Sequence, residues 1–482
     1  MFYLNNNYHF FQNKEKYFLY GINTKLLAEI SDLTYLMLCQ MPTHYYLLKK
    51  NNSGKYRIKE INETFNELKK DKIILRKNLP QRVMTPSPNF FKKEEILGKH
   101  RFNGLYLVIS QDCNLRCKYC SAEYGRFGNN LEIKFMTIEV AQRALDYFFD
   151  NLQENLEKLT IIFMGGEPLM NFEVLKQSVE YSMKISTKPV DFILNTNGIL
   201  MDENKARWFA QNKNVSVRFS IDGTKEMHNA SRIYQNGKGS YDDTIKGLQT
   251  FLKFNPEEPM IQASISKGKH YKNAVKHLWN LGAKRVIANF TGESAFLDSS
   301  DYEMGKDDLE NFMNELDAVN NEIIDNLINK GYSNWISLTE AQIRSILSHN
   351  IEQYYCLCGA GRTISITSDG SVFPCQGFVG FDKYKIGTIY TKIDYDKLEK
   401  FGEQWAKVLD KCSDCWLRNS CSSSCIARYL TIDGLGCNEP SRNCNFSKRL
   451  YKASAYMYCK LMDEKPELIT NWGKEKKQIF NS

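Results

Sequence analysis

The chain has 482 residues, 42% hydrophobic and 25% charged, which allows two or three globular domains and excludes a largely disordered, collagenous or filamentous protein. Its net charge of +8 is local: from Lys49 to Arg101 fifteen Lys and Arg stand against six Asp and Glu, a surface for an acidic partner or simply a solvated basic face, rather than the spread of a nucleic-acid-binding protein. No apolar run is long enough to cross a bilayer and the start MFYLNNNYHF is no signal peptide, so a cytoplasmic protein with no membrane contact is expected.

Residues 1–78 read as a small α+β unit. Strand-like stretches at Phe2–Phe11 and Tyr17–Ile22 precede an amphipathic helix with Leu26, Leu27, Ile30, Leu33 and Met37 on its buried stripe. A second helical pattern at Ile61–Leu68 and an apolar stretch at Ile73–Leu75 complete the content of a winged-helix-like module. Pro80, Pro86 and Pro88 then mark residues 79–103 as a linker. From 104 to 300 the apolar runs LYLVIS, LTIIFM, VDFILNT, VSVRFSIDG, MIQASIS and RVIANF alternate with helical patterns near 137–157, 172–184, 202–211, 241–254 and 271–281. Such alternation predicts an α/β fold with a buried parallel sheet, either doubly wound or a partial barrel, whose chemistry lies at the strands' carboxyl ends. A helical bridging region is expected over 301–355, a cysteine-rich region over 356–450 and a polar C-terminal tail over 451–482.

Fourteen cysteines in a reducing compartment point to metal sites or catalysis rather than disulfides. Cys113, Cys117 and Cys120 form CxxxCxxC directly after the first strand of the array. Three thiolates on one loop can hold three irons of a [4Fe–4S] cluster and leave the fourth open to a ligand; the other readings are buried cysteines or zinc, which normally takes a fourth Cys or His close by. Nine more cysteines lie between Cys356 and Cys444. Their paired spacing at Cys412-x2-Cys415 and Cys421-x3-Cys425 fits either clusters or a zinc ribbon. Cys39 and Cys459 read as buried thiols.

These motifs resemble the radical S-adenosylmethionine (SAM) superfamily over about residues 104–290, which implies a partial (β/α)6 barrel. By that resemblance Gly165, Gly166 and Glu167 bind the SAM amino group, Asn195, Ser220 and Asp222 contact its ribose side, Arg232 pairs with its carboxylate and Tyr119 lies near adenine. The run Cys358, Gly370, Cys375, Cys412, Cys415, Cys421, Cys425 and Cys444 resembles the SPASM extension of peptide- and protein-modifying members. The implied ligation is Cys358, Cys375 and Cys425 for one auxiliary [4Fe–4S] cluster, with Cys356 as a plausible fourth ligand, and Cys412, Cys415, Cys421 and Cys444 for another. Cys437 competes with Cys444 or is structural. Three clusters and SAM are therefore expected, with a reductant such as flavodoxin or ferredoxin.

Anaerobic sulfatase-maturating enzymes carry an Asp after the cysteine matching Cys375, read as the general base. This chain has Gln376, which cannot take a proton. The surroundings look instead like maturases that form thioethers (sactipeptide or ranthipeptide type) in a ribosomal precursor peptide, bound through its leader at the N-terminal unit. The implied chemistry is hydrogen abstraction by a 5′-deoxyadenosyl radical. Rival readings are a carbon–carbon crosslink, formylglycine formation, and a non-enzymatic zinc-bound nucleic-acid or scaffold protein.

Overall fold

In a computed structural model, residues 1–78, 102–127, 134–152, 156–256, 259–268, 270–291, 301–347, 363–410, 412, 414–421, 427, 430–431, 434–435 and 442–469 are described. The chain opens with β1 (Tyr3–Leu4), β2 (Tyr8–Asn13), β3 (Lys16–Gly21) and β4 (Leu27–Ile30), then α1 (Asp32–Cys39), α2 (Tyr45–Asn52), α3 (Ile58–Lys70) and β5 (Ile74–Leu75). Strands β2, β3 and β4 form one antiparallel sheet and β1 pairs with β5. The helix expected from Leu26 to Met37 is thus divided, because Leu27–Ile30 finds its backbone partners on β3. Ser31 sets the division: its Oγ accepts the Thr34 N–H at 3.1 Å, a cap worth about 1 kcal/mol. The stretch Phe2–Phe11 breaks similarly at an Asx turn, where Asn5 Oδ1 accepts the Asn7 N–H at 3.1 Å. Cys39 is exposed rather than buried, because α1 turns Leu33, Met37 and Leu38 inward.

Six strands follow: β6 (Gly104–Ser110), β7 (Leu159–Gly165), β8 (Val190–Thr196), β9 (Val215–Ser220), β10 (Met260–Ile265) and β11 (Arg285–Phe290). The helices between them are α4 (Ile138–Phe149), α5 (Phe172–Ile185), α6 (Glu203–Gln211), α7 (Lys225–Asn229), α8 (Tyr241–Phe254) and α9 (Tyr271–Asn280). The strands are parallel and lie side by side in chain order. Strand β11 does not return to β6, so the α/β array stays open as a partial barrel. Helices cover the sheet, so β6 is buried at every residue, while β8 alternates the buried Val190, Phe192 and Leu194 with less buried neighbours.

The remaining elements are α10 (Lys306–Lys330), β12 (Trp335–Ile336), α11 (Ser337–Leu347), β13 (Thr363–Ile366), β14 (Ser371–Phe373), β15 (Gly387–Thr388), α12 (Tyr395–Asp410) and α13 (Arg442–Glu464). Strand β13 pairs parallel with β6, Thr363 opposite Gly104, and β14 and β15 continue the sheet antiparallel. The cysteine-rich region therefore shares the sheet of the barrel. The tail expected from residue 451 begins inside α13, a helix that buries Leu450, Met457 and Leu461 at a helical spacing. Its charged residues had masked that stripe. No helix among the described residues is long and apolar enough to cross a membrane.

Candidate active site

A cavity of about 760 Å³ opens at the carboxyl edge of the parallel sheet. Cys113, Cys117, Tyr119 and Cys120 reach it from the loop after β6, and Gly165, Gly166 and Glu167 from the end of β7. Asn195 at the end of β8, Ser220 at the end of β9 and Arg232 beyond it also line it, whereas Asp222 does not. Gln262 and Ser264 of β10, Glu303 before α10, and Gln376 with Gly377 after β14 line it as well. Sequence reasoning marks Gln376, as the residue standing where relatives carry a general-base Asp, and gives the other four no place in the cavity. A signal existed for two: Gln262 and Ser264 are polar residues two apart in an otherwise apolar strand, hence on one face.

The two glycines are needed by the backbone itself. Gly166 N–H donates to Ser110 O at 2.8 Å and Glu167 N–H to Asp112 O at 3.0 Å, zipping the β7 loop onto the β6 loop. A Cβ on Gly165, whose φ is +133°, would stand 1.8 Å from Ser110 O, and one on Gly166 would stand 2.2 Å from Asp112 O. Glu167 is 1% exposed. Its carboxylate accepts the Leu169 N–H at 2.9 Å, the Thr196 hydroxyl at 2.7 Å and the Asn197 N–H at 2.8 Å. Burial pushes its pKa up against these donors.

Asp222 is fully buried behind the wall. Its carboxylate accepts the Ser264 N–H at 2.9 Å and the Tyr119 hydroxyl. Arg232 Nε lies 3.1 Å from Asp222 Oδ1, an ion pair whose N–H is not aligned along the contact. Burial works against the charge of Arg232, but Asp222, Tyr119 and Cys117 outweigh it and hold the guanidinium firmly protonated. Arg232, expected to meet a ligand carboxylate, thus has a protein carboxylate beside it. Tyr119 is tied to Asp222 with its ring 5.7 Å from the guanidinium carbon.

Residues 107–257 match the Radical SAM superfamily. This stretch is a radical SAM domain. The cysteine-type anaerobic sulfatase-maturating enzyme of Clostridium novyi (strain NT) is 28% identical over 333 residues, 66% of this chain and 85% of that protein. Among solved structures, native anSMEcpe with bound AdoMet shares the fold at a TM-score of 0.62 and 22% identity, over 75% of this chain and 99% of that one. Streptococcus suis SuiB bound to precursor peptide SuiA matches 92% of this chain and 98% of its own length, with a TM-score of 0.51 and 17% identity.

The radical SAM domain's three thiols line one cavity, as the three protein ligands of a [4Fe–4S] cluster with an open iron would. Backbone N–H groups aim at two of the sulfurs, Leu115 at 3.4 Å from Cys113 Sγ and Tyr124 at 3.2 Å from Cys120 Sγ. Burial raises all three thiol pKa values, that of Cys117 to about 12, so a bound metal's positive charge would be needed to hold them as thiolates. Asn195 Oδ1 is buried with no protein donor, an acceptor that a ligand hydroxyl would satisfy.

In the C-terminal region Cys375 is buried and its Sγ accepts the Gly377 N–H at 3.3 Å. Cys412, Cys415, Cys421 and Cys444 are half-buried. Cys356, Cys358, Cys425 and Cys437 lie outside the described residues.

Proposed function

We propose that this chain is a radical SAM maturase that joins a Cys sulfur to a carbon within a ribosomally synthesised precursor peptide. One observation carries the reading: the CxxxCxxC loop and the turn after Cys375 line the same cavity, so the SAM-binding region and the auxiliary region face one substrate. The similarity to a sulfatase-maturating enzyme and the fold shared with a precursor-peptide-bound protein support a polypeptide substrate.

Cys113, Cys117 and Cys120 would hold the cluster that, with SAM, supplies the radical removing a peptide hydrogen atom. Cys358, Cys375 and Cys425 with Cys356, and Cys412, Cys415, Cys421 and Cys444, would hold two auxiliary clusters. The protein's own part is positional. Glu167 braces the loops after β7 and β8, Asp222 anchors Arg232 and Tyr119, and Asn195 and Ser220 offer polar contacts from the strand ends. In the N-terminal unit β4 ends its sheet, and an extended leader could add there as a further strand. Formylglycine formation is the second reading, favoured by the sulfatase-maturating relative and opposed by Gln376, which carries no proton-accepting carboxylate.

The test is anaerobic reconstitution with iron and sulfide, then incubation with SAM, dithionite and a synthetic Cys-containing peptide taken from a short reading frame beside the gene. The expected product is lighter by two hydrogens and its Cys resists alkylation. A product that keeps its free thiol, or loses its sulfur, overturns the thioether reading.

A further inference from the structure

A crosslink that removes two hydrogens from a peptide releases one of them as a proton, and a positioned side chain that accepts it speeds the step. Resting on the reading that a peptide is oxidised in this cavity, we propose that Glu303 is the catalytic base that takes this proton.

The lining residues narrow the choice. Among the described residues, the only carboxylates in the lining are Glu167 and Glu303. Glu167 is 1% exposed and spends its two oxygens on three donors that hold the loops together, so a proton there would undo the wall. Tyr119 donates to Asp222, and Tyr124 carries a phenol, which is neutral and a donor near neutral pH. Arg232 is a cation, and Gln376 is an amide. Glu303 is half-buried and faces the cavity from the carboxyl end of β11.

Its neighbours hold it there. Tyr302 O accepts the Thr291 hydroxyl at 2.6 Å and the Lys267 N–H at 3.1 Å, pinning the segment to the ends of β11 and β10. The Lys118 ammonium, inside the CxxxCxxC loop, lies 5.7 Å from the Tyr302 ring, and Met304 is buried. A carboxylate between two anchored residues is pre-oriented, which is what a base needs. From the far side of the sheet order, Gln376 presents a buried Oε1 with no hydrogen-bond partner, an acceptor suited to a peptide N–H.

The peptide C–H bond breaks and its hydrogen atom passes to the radical supplied by SAM cleavage. The Cys S–H bond breaks with its proton going to Glu303, the C–S bond forms, and the surplus electron passes to an iron–sulfur cluster.

The experiment measures 5′-deoxyadenosine and oxidised peptide together, using reconstituted full-length protein and the same synthetic peptide. In Glu303→Gln, 5′-deoxyadenosine should continue while peptide product falls about a hundredfold, the loss expected for a missing general base. Glu303→Asp should recover part of the product, and adding Gln376→Asp to Glu303→Gln should restore some, because a carboxylate returns to the cavity. Wild-type product levels in Glu303→Gln overturn the proposal. So does a parallel fall of both products, which would make Glu303 part of the SAM site. Failure of the underlying reading looks different: wild-type protein that forms 5′-deoxyadenosine but no peptide lighter by two hydrogens.

Discussion

Glu167 shows how one side chain can serve architecture and site together. Its oxygens gather donors from Leu169, Thr196 and Asn197, so the loops after β7 and β8 keep their spacing only while both oxygens accept. Glu167→Gln preserves size but replaces one acceptor with a donor, leaving a buried N–H or O–H facing an NH2 group. The expected loss is about 1–3 kcal/mol, read as a lower denaturation midpoint of the cluster-free chain. An unchanged midpoint would mean the loops are held by something else. At Gly166 the constraint is steric, since any Cβ meets the Asp112 and Tyr124 carbonyl oxygens at 2.2 and 2.4 Å.

At the scale of elements, β2 and β3 are bound to the C-terminal cysteine-rich region. The His9 ring stacks on Trp416, next to Cys415, at 4.2 Å between centroids. Asn419 donates to Ile22 O at 2.7 Å and Tyr20 shares a hydrogen bond with Ser420 at 2.9 Å. Burial, aided by Lys452 and Lys448, pushes His9 down to about 4 from 6.5. The unfolded chain takes up that proton first, so the stability His9 confers is complete above its ordinary pKa and is lost as pH falls toward 4. The slope is at most roughly 1.36 kcal/mol per pH unit, and less here because the ring is only partly buried. The denaturation midpoint should therefore drop more between neutral pH and pH 5 in the wild type than in His9→Phe, with Trp416 emission following. Identical pH profiles would remove His9 from the account.

Across the whole molecule, one core runs from the N-terminal hairpin to α13. It includes Phe11, Phe18 and Tyr20 of the hairpin, the barrel strands, and Tyr451 and Met457. A separate smaller core, with Met37, Leu48 and Phe65, lies beneath α1 to α3. Removing residues 1–78 would strip the hairpin's aromatics from the shared core, each worth about 1.5–3 kcal/mol of burial, against a total stability of roughly 5–15 kcal/mol. The shortened chain should bind a hydrophobic dye and lose a cooperative thermal transition. A sharp transition near that of the full chain would show that the unit is a detachable module.

Much of this was legible in the residues alone. Apolar runs alternating with helical patterns determine a parallel sheet wherever they occur, because buried strands need apolar residues on both faces and a helix to return. The thiol spacing and the strand-end glycines likewise follow from local chemistry. Other features depended on contacts distant in sequence. Leu27–Ile30 joined a sheet because β3 offered it partners, α13 became core because α10 and α11 pack on it, and Asp222 withdrew behind the wall once Arg232 and Ser264 were beside it. Glu303 carries no pattern of its own, and Gln376 is marked only by following Cys375. They share a cavity only because β13 pairs with β6 at one end of the parallel array while β11 stands toward the other, and that pairing is decided by the packed sheet, where burial and backbone hydrogen bonding across hundreds of residues choose the partner.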